Sequence, residues 1–199
     1  MPIMKIKLRS RILTLVLALP LLHGCLAVVA GGAAAGGVHD HRGFRTVVED
    51  RDIQLTALNL INREKDLVRD DNRVKVVVYN GTMLLCGQVR SMQLRQRAQS
   101  IADTVQGVSR LVNEIEVTDE PQGFWRRRQD NVLSTRVKSA LIDITSMPGF
   151  DPTRINVTSA HHVVYLMGLV SREEADAVTE VARDVGGVDK VVKVFEYTD

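Results

Sequence analysis

The stretch that decides the fold occurs twice, as RVKVVVYNGTMLLCGQV at residues 73–89 and as RINVTSAHHVVYLMGLV at residues 154–170. The two segments align without a gap, and each joins two apolar runs by a short polar turn and ends in Leu-x-Gly-x-Val. A second similar pair follows, VQGVSRLV from residue 105 and VGGVDKVV from residue 185. Self-similarity of this extent indicates two copies of one structural unit.

Outward from the repeat, each copy has the periodicities of two helices and three strands. An apolar stripe precedes each quoted segment and another follows it, with the spacing of an amphipathic helix. The stripes are Ile53, Ala57, Leu60 and Ile61; Leu94, Ala98, Ile101, Ala102 and Val105; Leu133, Val137, Ala140, Leu141 and Ile144; and Ala175, Val178, Ala182 and Val185. A last β-rich run closes each copy at residues 108–117 and 188–197. The order predicts an α+β fold in which two helices cover a three-stranded sheet.

Glycines are expected to shape the backbone of both copies. Asn80-Gly81 is typical of a tight hairpin turn with positive φ angles. The corresponding Ala160-His161-His162 lacks glycine and is expected to turn differently. Gly107 and Gly187 are predicted at helix C-caps. The predicted structural glycines are Gly81, Gly87, Gly107, Gly168 and Gly187.

The amino terminus has the pattern of a lipoprotein signal peptide over residues 1–24. Four basic residues precede an apolar core at Ile12–Leu22, which is too short to span a bilayer. Leu22-His23-Gly24-Cys25 resembles the bacterial lipobox, which implies cleavage before Cys25 and its acylation. Leu26 rather than Asp follows, and by resemblance to lipoprotein sorting rules this implies the periplasmic face of the outer membrane. Acyl chains at Cys25 would anchor the chain stably.

Composition then divides the rest of the chain. An Ala/Gly-rich run at residues 27–37 predicts a flexible tether after the lipidated cysteine. The predicted divisions are a tether at residues 25–50, a first domain at 51–118, a linker at 119–130 and a second domain at 131–199. Cys86 lies in an apolar run and is expected to be a small buried core residue.

The element order and the Leu-x-Gly-x-Val endings resemble the BON domain. Two such units behind a lipobox resemble the dual-BON-domain outer-membrane lipoproteins, over roughly residues 25–199. The resemblance implies binding of anionic phospholipid, of the phosphatidylglycerol class, chiefly through the first helix of the second domain. It also implies a role in outer-membrane integrity and, in some members, accumulation at division sites.

The start of the second domain therefore holds the candidate lipid-binding residues. Trp favours the bilayer interface and Arg pairs with phosphate, which draws attention to Phe124-Trp125 and the three arginines after them. The family's aromatic residue falls at Val132 here, and Phe124 and Trp125 are expected to compensate. An exposed linker whose aromatic residues pack between the domains is the open alternative. The predicted set is Phe124, Trp125, Arg126, Arg127, Arg128, Val132, Leu133, Arg136, Val137 and Lys138.

Charge and motifs exclude several other classes. The net charge of the 199 residues is +2, but residues 1–24 hold four basic residues and no acidic one, so the remainder is slightly acidic. That balance, with 4% aromatic residues, argues against a nucleic-acid binder. No catalytic, nucleotide-binding or metal-binding motif occurs, so neither an enzyme nor a cofactor is predicted. His39-Asp40-His41 lacks a third ligand nearby and is expected to be linker.

The alternative function is a periplasmic adaptor that binds envelope assembly proteins through an exposed sheet face or edge. Salt separates the two hypotheses, because binding through Arg and Lys weakens with ionic strength whereas apolar docking does not. From Val132 onward the chain has seven basic and ten acidic residues. A lipid site on the second domain must therefore be a local patch.

Overall fold

The two copies of the repeat form two domains with the same order of elements. The computed structural model describes residues 43–69, 72–120, 124–144 and 147–199, and it describes their side chains except at 44 and 124–129. The first domain consists of α1 (Phe44–Arg63), β1 (Arg73–Tyr79), β2 (Thr82–Val89), α2 (Met92–Asp103) and β3 (Arg110–Val117). The second consists of α3 (Phe124–Ile142), a 3-10 turn (Pro152–Arg154), β4 (Asn156–Ala160), β5 (Val163–Val170), α4 (Arg172–Asp184) and β6 (Lys190–Tyr197). The predicted order and the α+β class are confirmed.

Each sheet is mixed, with its second strand in the middle. β2 pairs antiparallel with β1 through the hairpin and parallel with β3, and β5 pairs in the same way with β4 and β6. A parallel pair needs a crossover connection, which α2 and α4 supply. Both helices start at a serine cap. Ser91 Oγ accepts from Leu94 N, and Ser171 forms a capping box with Glu174.

Each domain has its own hydrophobic core between its helices and one face of its sheet. The largest fully buried side chains include Ile61, Met83 and Ile115 in the first domain, and Leu141 and Leu166 in the second. The predicted helical stripes supply the helix side of both cores. Among the described residues, no helix combines the length and hydropathy needed to cross a bilayer.

A third apolar cluster joins the two domains through the opposite faces of their sheets. Its buried members are Tyr79, Leu84, Cys86, Ala160, Tyr165, Met167 and Val194. Because successive side chains of a strand point to opposite faces, β2 directs Leu85 to its own helices and Leu84 to the other domain. The domains form one compact unit of four layers, helices, sheet, sheet and helices. The sheet face that an adaptor could have exposed is therefore covered, which corrects that part of the expectation, whereas binding through a sheet edge stays a prediction.

Equivalent polar contacts close both ends of this interface. Asn80 Nδ2 donates to Glu196 Oε2 at 2.6 Å. At the other end, Nδ1 of His161 lies 3.8 Å from Glu116 Oε2 and also contacts Gln88 Nε2. Asn80 and His161 hold the same position in the repeat, as do Glu196 and Glu116. This reciprocity means that an approximate two-fold axis relates the two domains.

The second hairpin turns with the same geometry as the first, which corrects the expected difference. Asn80 and Gly81 have φ angles of 51° and 74°, and His161 and His162 have φ angles of 52° and 59°. Left-handed backbone is unfavourable for residues with a Cβ atom. Contacts of both imidazoles offset this, since Nδ1 of His162 lies 3.0 Å from the Gly187 carbonyl oxygen.

Several predicted boundaries are also corrected. α1 begins at Phe44, inside the predicted tether, and α3 begins at Phe124, inside the predicted linker. The start of α1 was predicted too late because its first turns are mostly polar and exposed. The apolar stripe that indicates the helix starts only at Ile53. Gly107 and Gly187 do not cap helices, because Thr104 and Val185 do. The two glycines lie further on, at positive φ, in the loops before β3 and β6.

Cys86 is buried as expected, but between the two sheets rather than inside one domain. Burial raises the pKa of its thiol to about 12, so the reactive thiolate is suppressed. All buried members of the three clusters lie after residue 56, so a chain that begins at Leu26 keeps every core and has only this cysteine. We expect its thiol to resist a disulfide reagent at about pH 8, where an ordinary thiol reacts readily. Reaction should become complete in denaturant, and fast labelling of the folded chain would contradict the buried position.

Candidate lipid-binding site

The outer face of α3 is where the predicted lipid-binding residues reach the surface. The inner face carries Leu133 and Val137, which are 5% and 0% exposed in the core of the second domain. On the outer side Val132 is 50% exposed, and Arg136 and Lys138 are also exposed. The helix therefore separates a core stripe from a surface that combines an apolar residue with two cations.

This geometry corrects the predicted set of lipid-binding residues. Leu133 and Val137 cannot contact a bilayer in this fold, because the helix lies between them and the surface. The depression on the outer face is lined by Asn131, Val132, Thr135, Arg136 and Ser139. The backbone of Phe124–Arg128 forms the first turns of α3, but the side chains of these five residues lie outside the described part of the structure. Cys25 also lies outside it.

The charge of α3 is unusual for the second domain. Residues 124–142 contain five basic side chains and a single acidic one, Asp130. Asp130 is 5% exposed, and its Oδ2 atom lies 3.9 Å from Nζ of Lys75 on β1. α3 itself therefore adds no carboxylate to its outer face. The corresponding helix α1 has three basic and three acidic residues, so it lacks this excess.

Asp130 belongs to a polar cluster that holds α3 against the first domain. Lys75 Nζ donates to the Ser159 carbonyl oxygen at 2.5 Å. The Ser159 hydroxyl bonds the main-chain oxygen of Asp130 and lies 2.8 Å from Ser134 Oγ. Burial lowers the pKa of Lys75 because desolvation disfavours the charged amine, while Asp130 opposes this shift. The cluster fixes the position of the outer face relative to β1.

Lys75 belongs to no predicted site, and Asp130 lies at the end of the predicted linker. The available signal was the repeat itself, since Asp50 and Asp130 each precede the first apolar stripe by three residues. Both carboxylates are buried, but they act differently. Asp50 accepts hydrogen bonds from the turn amides of Asn80 and Gly81 at 2.7 and 2.8 Å. Asp130 faces Lys75 across the domain interface instead.

The described residues place no group of three or more His, Cys, Asp or Glu side chains where it could hold a metal ion. His161 and His162 occupy their hairpin turn and bond neighbouring groups of the chain. The described part of α3 therefore offers a cationic surface that includes the exposed side chain of Val132.

Comparison with known proteins identifies the family to which this chain belongs. The BON domain matches residues 49–119 and 129–199. The chain is 32% identical over 180 residues to "Outer membrane lipoprotein DolP" of Haemophilus influenzae. The alignment covers 89% of this chain and 91% of that protein. It is 34% identical over 158 residues to "21 kDa hemolysin" of Actinobacillus pleuropneumoniae, with 79% of each chain covered. One solved structure that aligns is the C-terminal domain of CdsD, a structural protein of the type III secretion system of Chlamydia trachomatis. The alignment has a TM-score of 0.28 and 14% sequence identity, and it covers 74% of this chain and 98% of that one. Because the BON domain matches both copies of the repeat, the chain belongs to the BON-domain family and carries two of these domains in tandem.

Proposed function

We propose that the protein is a non-enzymatic outer-membrane lipoprotein that binds anionic phospholipid through the outer face of α3 and supports outer-membrane integrity. In this proposal Cys25 carries the acyl chains and the two domains face the periplasm. The observation that carries the proposal is the cationic outer face of α3. The helix contains a single carboxylate, that of Asp130, and this side chain is buried. Similarity to the Haemophilus lipoprotein supports the location. Action at division sites rests on the family resemblance alone.

The chemistry of the α3 surface suits an interfacial helix. Such helices place apolar side chains among the acyl chains and basic side chains at the headgroups. Val132 and Ile142 are 50% and 66% exposed, and Arg136 and Lys138 supply the cations. We include Phe124–Arg128 in the site, because Trp favours the interface and Arg pairs with phosphate in a bidentate way.

Attachment at Cys25 would make even a weak site effective. Linking two binding events turns the second into an intramolecular one, with an effective concentration of about a millimolar for a short flexible linker. The Ala/Gly-rich composition of residues 27–37 is typical of such a linker. The lipid anchor then supplies permanent attachment, and α3 orients the domains on the bilayer.

The test compares charge removal on two equivalent helices in a chain that begins at Leu26. Each cation near an anionic surface contributes about 1 kcal/mol, so Arg136→Gln with Lys138→Gln should weaken binding to phosphatidylglycerol vesicles by roughly thirtyfold. The matched control is Arg51→Gln with Arg63→Gln on α1, which makes the same charge change on an exposed helix surface. Vesicle sedimentation at low salt measures both.

Equal losses in the two double variants would mean that net charge, rather than the α3 surface, drives binding. Wild-type binding should also fall steeply as salt is raised, because the contacts are ionic. Salt-independent binding, or none, would contradict the lipid proposal and favour the adaptor function.

A further inference from the structure

A second polar feature lies beside α3, between the edges of the two sheets. β1 and β4 are edge strands. The groove between them has a volume of about 430 Å³. Its polar lining comes from Arg73, Lys75, Asn131, Ser134, Thr158 and Ser159. Both domains therefore contribute to it, and the polar cluster of Lys75 and Asp130 joins its two sides.

The groove has an excess of positive charge and of hydrogen-bond donors. Arg73 is exposed at the start of β1, and Lys75 donates to the Ser159 carbonyl oxygen at 2.5 Å. An ammonium group has three N–H donors, and among the described residues this is the one hydrogen bond of Lys75. Asp130, at 3.9 Å, is the nearby acid. Two cations against one carboxylate leave the groove suited to an anion.

The groove is continuous with the lipid-binding face through one residue. Asn131 lines both the groove and the depression that contains Val132 and Arg136. An anion in the groove would therefore lie beside the apolar part of the outer face. Arg binds phosphate oxygens in a bidentate way, and an Asn side chain supplies neutral N–H donors for the same oxygens.

We propose that the groove between β1 and β4 binds a phosphodiester group, with Arg73 and Lys75 as cationic donors and the Asn131 amide as a neutral one. Two sources carry this chemistry. One is the headgroup of a phospholipid bound at α3, and for that source the inference rests on the proposed function. The other is a soluble phosphodiester, which needs no membrane.

The test uses Arg73→Gln in a chain that begins at Leu26, with Arg110→Gln as the control. Arg73 and Arg110 are the exposed first residues of β1 and β3, so both changes remove one charge from a strand terminus outside the cores. The probes are short-chain phosphatidylglycerol micelles and glycerophosphoglycerol, which is the same headgroup without acyl chains. The readouts are the dissociation constant and the amide chemical shifts of Lys75 and Ser159.

We expect the Lys75 and Ser159 amides to shift, and Arg73→Gln to weaken binding about fivefold, the loss expected for one cation near an anionic group. Arg110→Gln should leave binding unchanged. A response to micelles alone assigns a lipid headgroup, and a response to glycerophosphoglycerol assigns a phosphodiester that needs no membrane.

The proposal is overturned if neither probe changes the chemical shifts of the Lys75 and Ser159 amides. It is also overturned if the Arg73→Gln and Arg110→Gln variants bind the probes with the same dissociation constant. The amides of α3 report the proposed function separately in the same spectra. If they shift while the groove amides do not, lipid binding stands and the groove proposal fails. If neither set shifts, both fail.

Discussion

Met167→Asp is expected to separate the two domains before either one unfolds. Met167 is 1% exposed and lies in the cluster between the sheets, where a carboxylate would find an apolar environment. An unpaired buried charge costs several kcal/mol, so we expect a loss of at least about 4 kcal/mol of stability. The cores inside the two domains share no buried residue with this cluster, so each domain should keep its secondary structure.

Denaturant unfolding measures this effect when two signals are followed. Near-ultraviolet circular dichroism reports the packing of Tyr79 and Tyr165 between the sheets, and far-ultraviolet circular dichroism reports secondary structure. The native chain should unfold in one transition, at a higher denaturant concentration than the variant. Met167→Asp should lose the contact between the domains at low denaturant concentration, and the domains should unfold afterwards. Val117→Asp is the control, because Val117 is 37% exposed on β3 and a surface change of this kind typically stays within about 0.5 kcal/mol. An unchanged midpoint for Met167→Asp would contradict the packing of the two sheets.

Gly87→Ala is expected to cost the first domain at least about 3 kcal/mol, through strained backbone and a steric clash. Gly87 has a φ angle of 118°, and an added Cβ atom would lie 2.1 Å from the Arg73 carbonyl oxygen. β1 would have to move away from β2 to accept it. Thermal unfolding of the variant measures the loss.

Gly168→Ala is the matched control, since Gly168 holds the same place in the second copy. Its backbone lies outside the left-handed region, and an added Cβ would meet the Ile155 Cδ1 atom at 3.1 Å and the Arg154 carbonyl oxygen at 3.3 Å. Small adjustments relieve such distances, so we expect a clearly smaller loss. Equal losses at the two positions would contradict the difference between the two sheets.

The internal repeat made the elements of each domain predictable. Apolar residues at helical spacing identified the core side of all four helices, because burial against a sheet imposes that spacing. Leu133 and Val137 illustrate the strength of this signal. Periodicity placed them in the core stripe, whereas the family resemblance also named them as lipid-binding residues, and the structure agrees with the periodicity.

The packing of the two domains was not predictable from the same patterns. All eight residues of β2 are buried, and their near-continuous apolar sequence is typical of a strand covered on both faces. That pattern indicates a cover for the second face without identifying it, since another chain would leave the same sequence signal. The role of His161 was hidden for a related reason, because its partners Gln88 and Glu116 belong to the other domain.

The membrane-facing role of α3 is tested most directly by paramagnetic broadening. The chain that begins at Leu26 would be bound to phosphatidylglycerol micelles containing a spin-labelled lipid, and amide signals of α3 and α1 would be compared. We expect strong broadening at Val132, Arg136 and Ser139, and none on α1. Broadening that is absent from α3, or equal on the two helices, would contradict lipid binding through the outer face of α3.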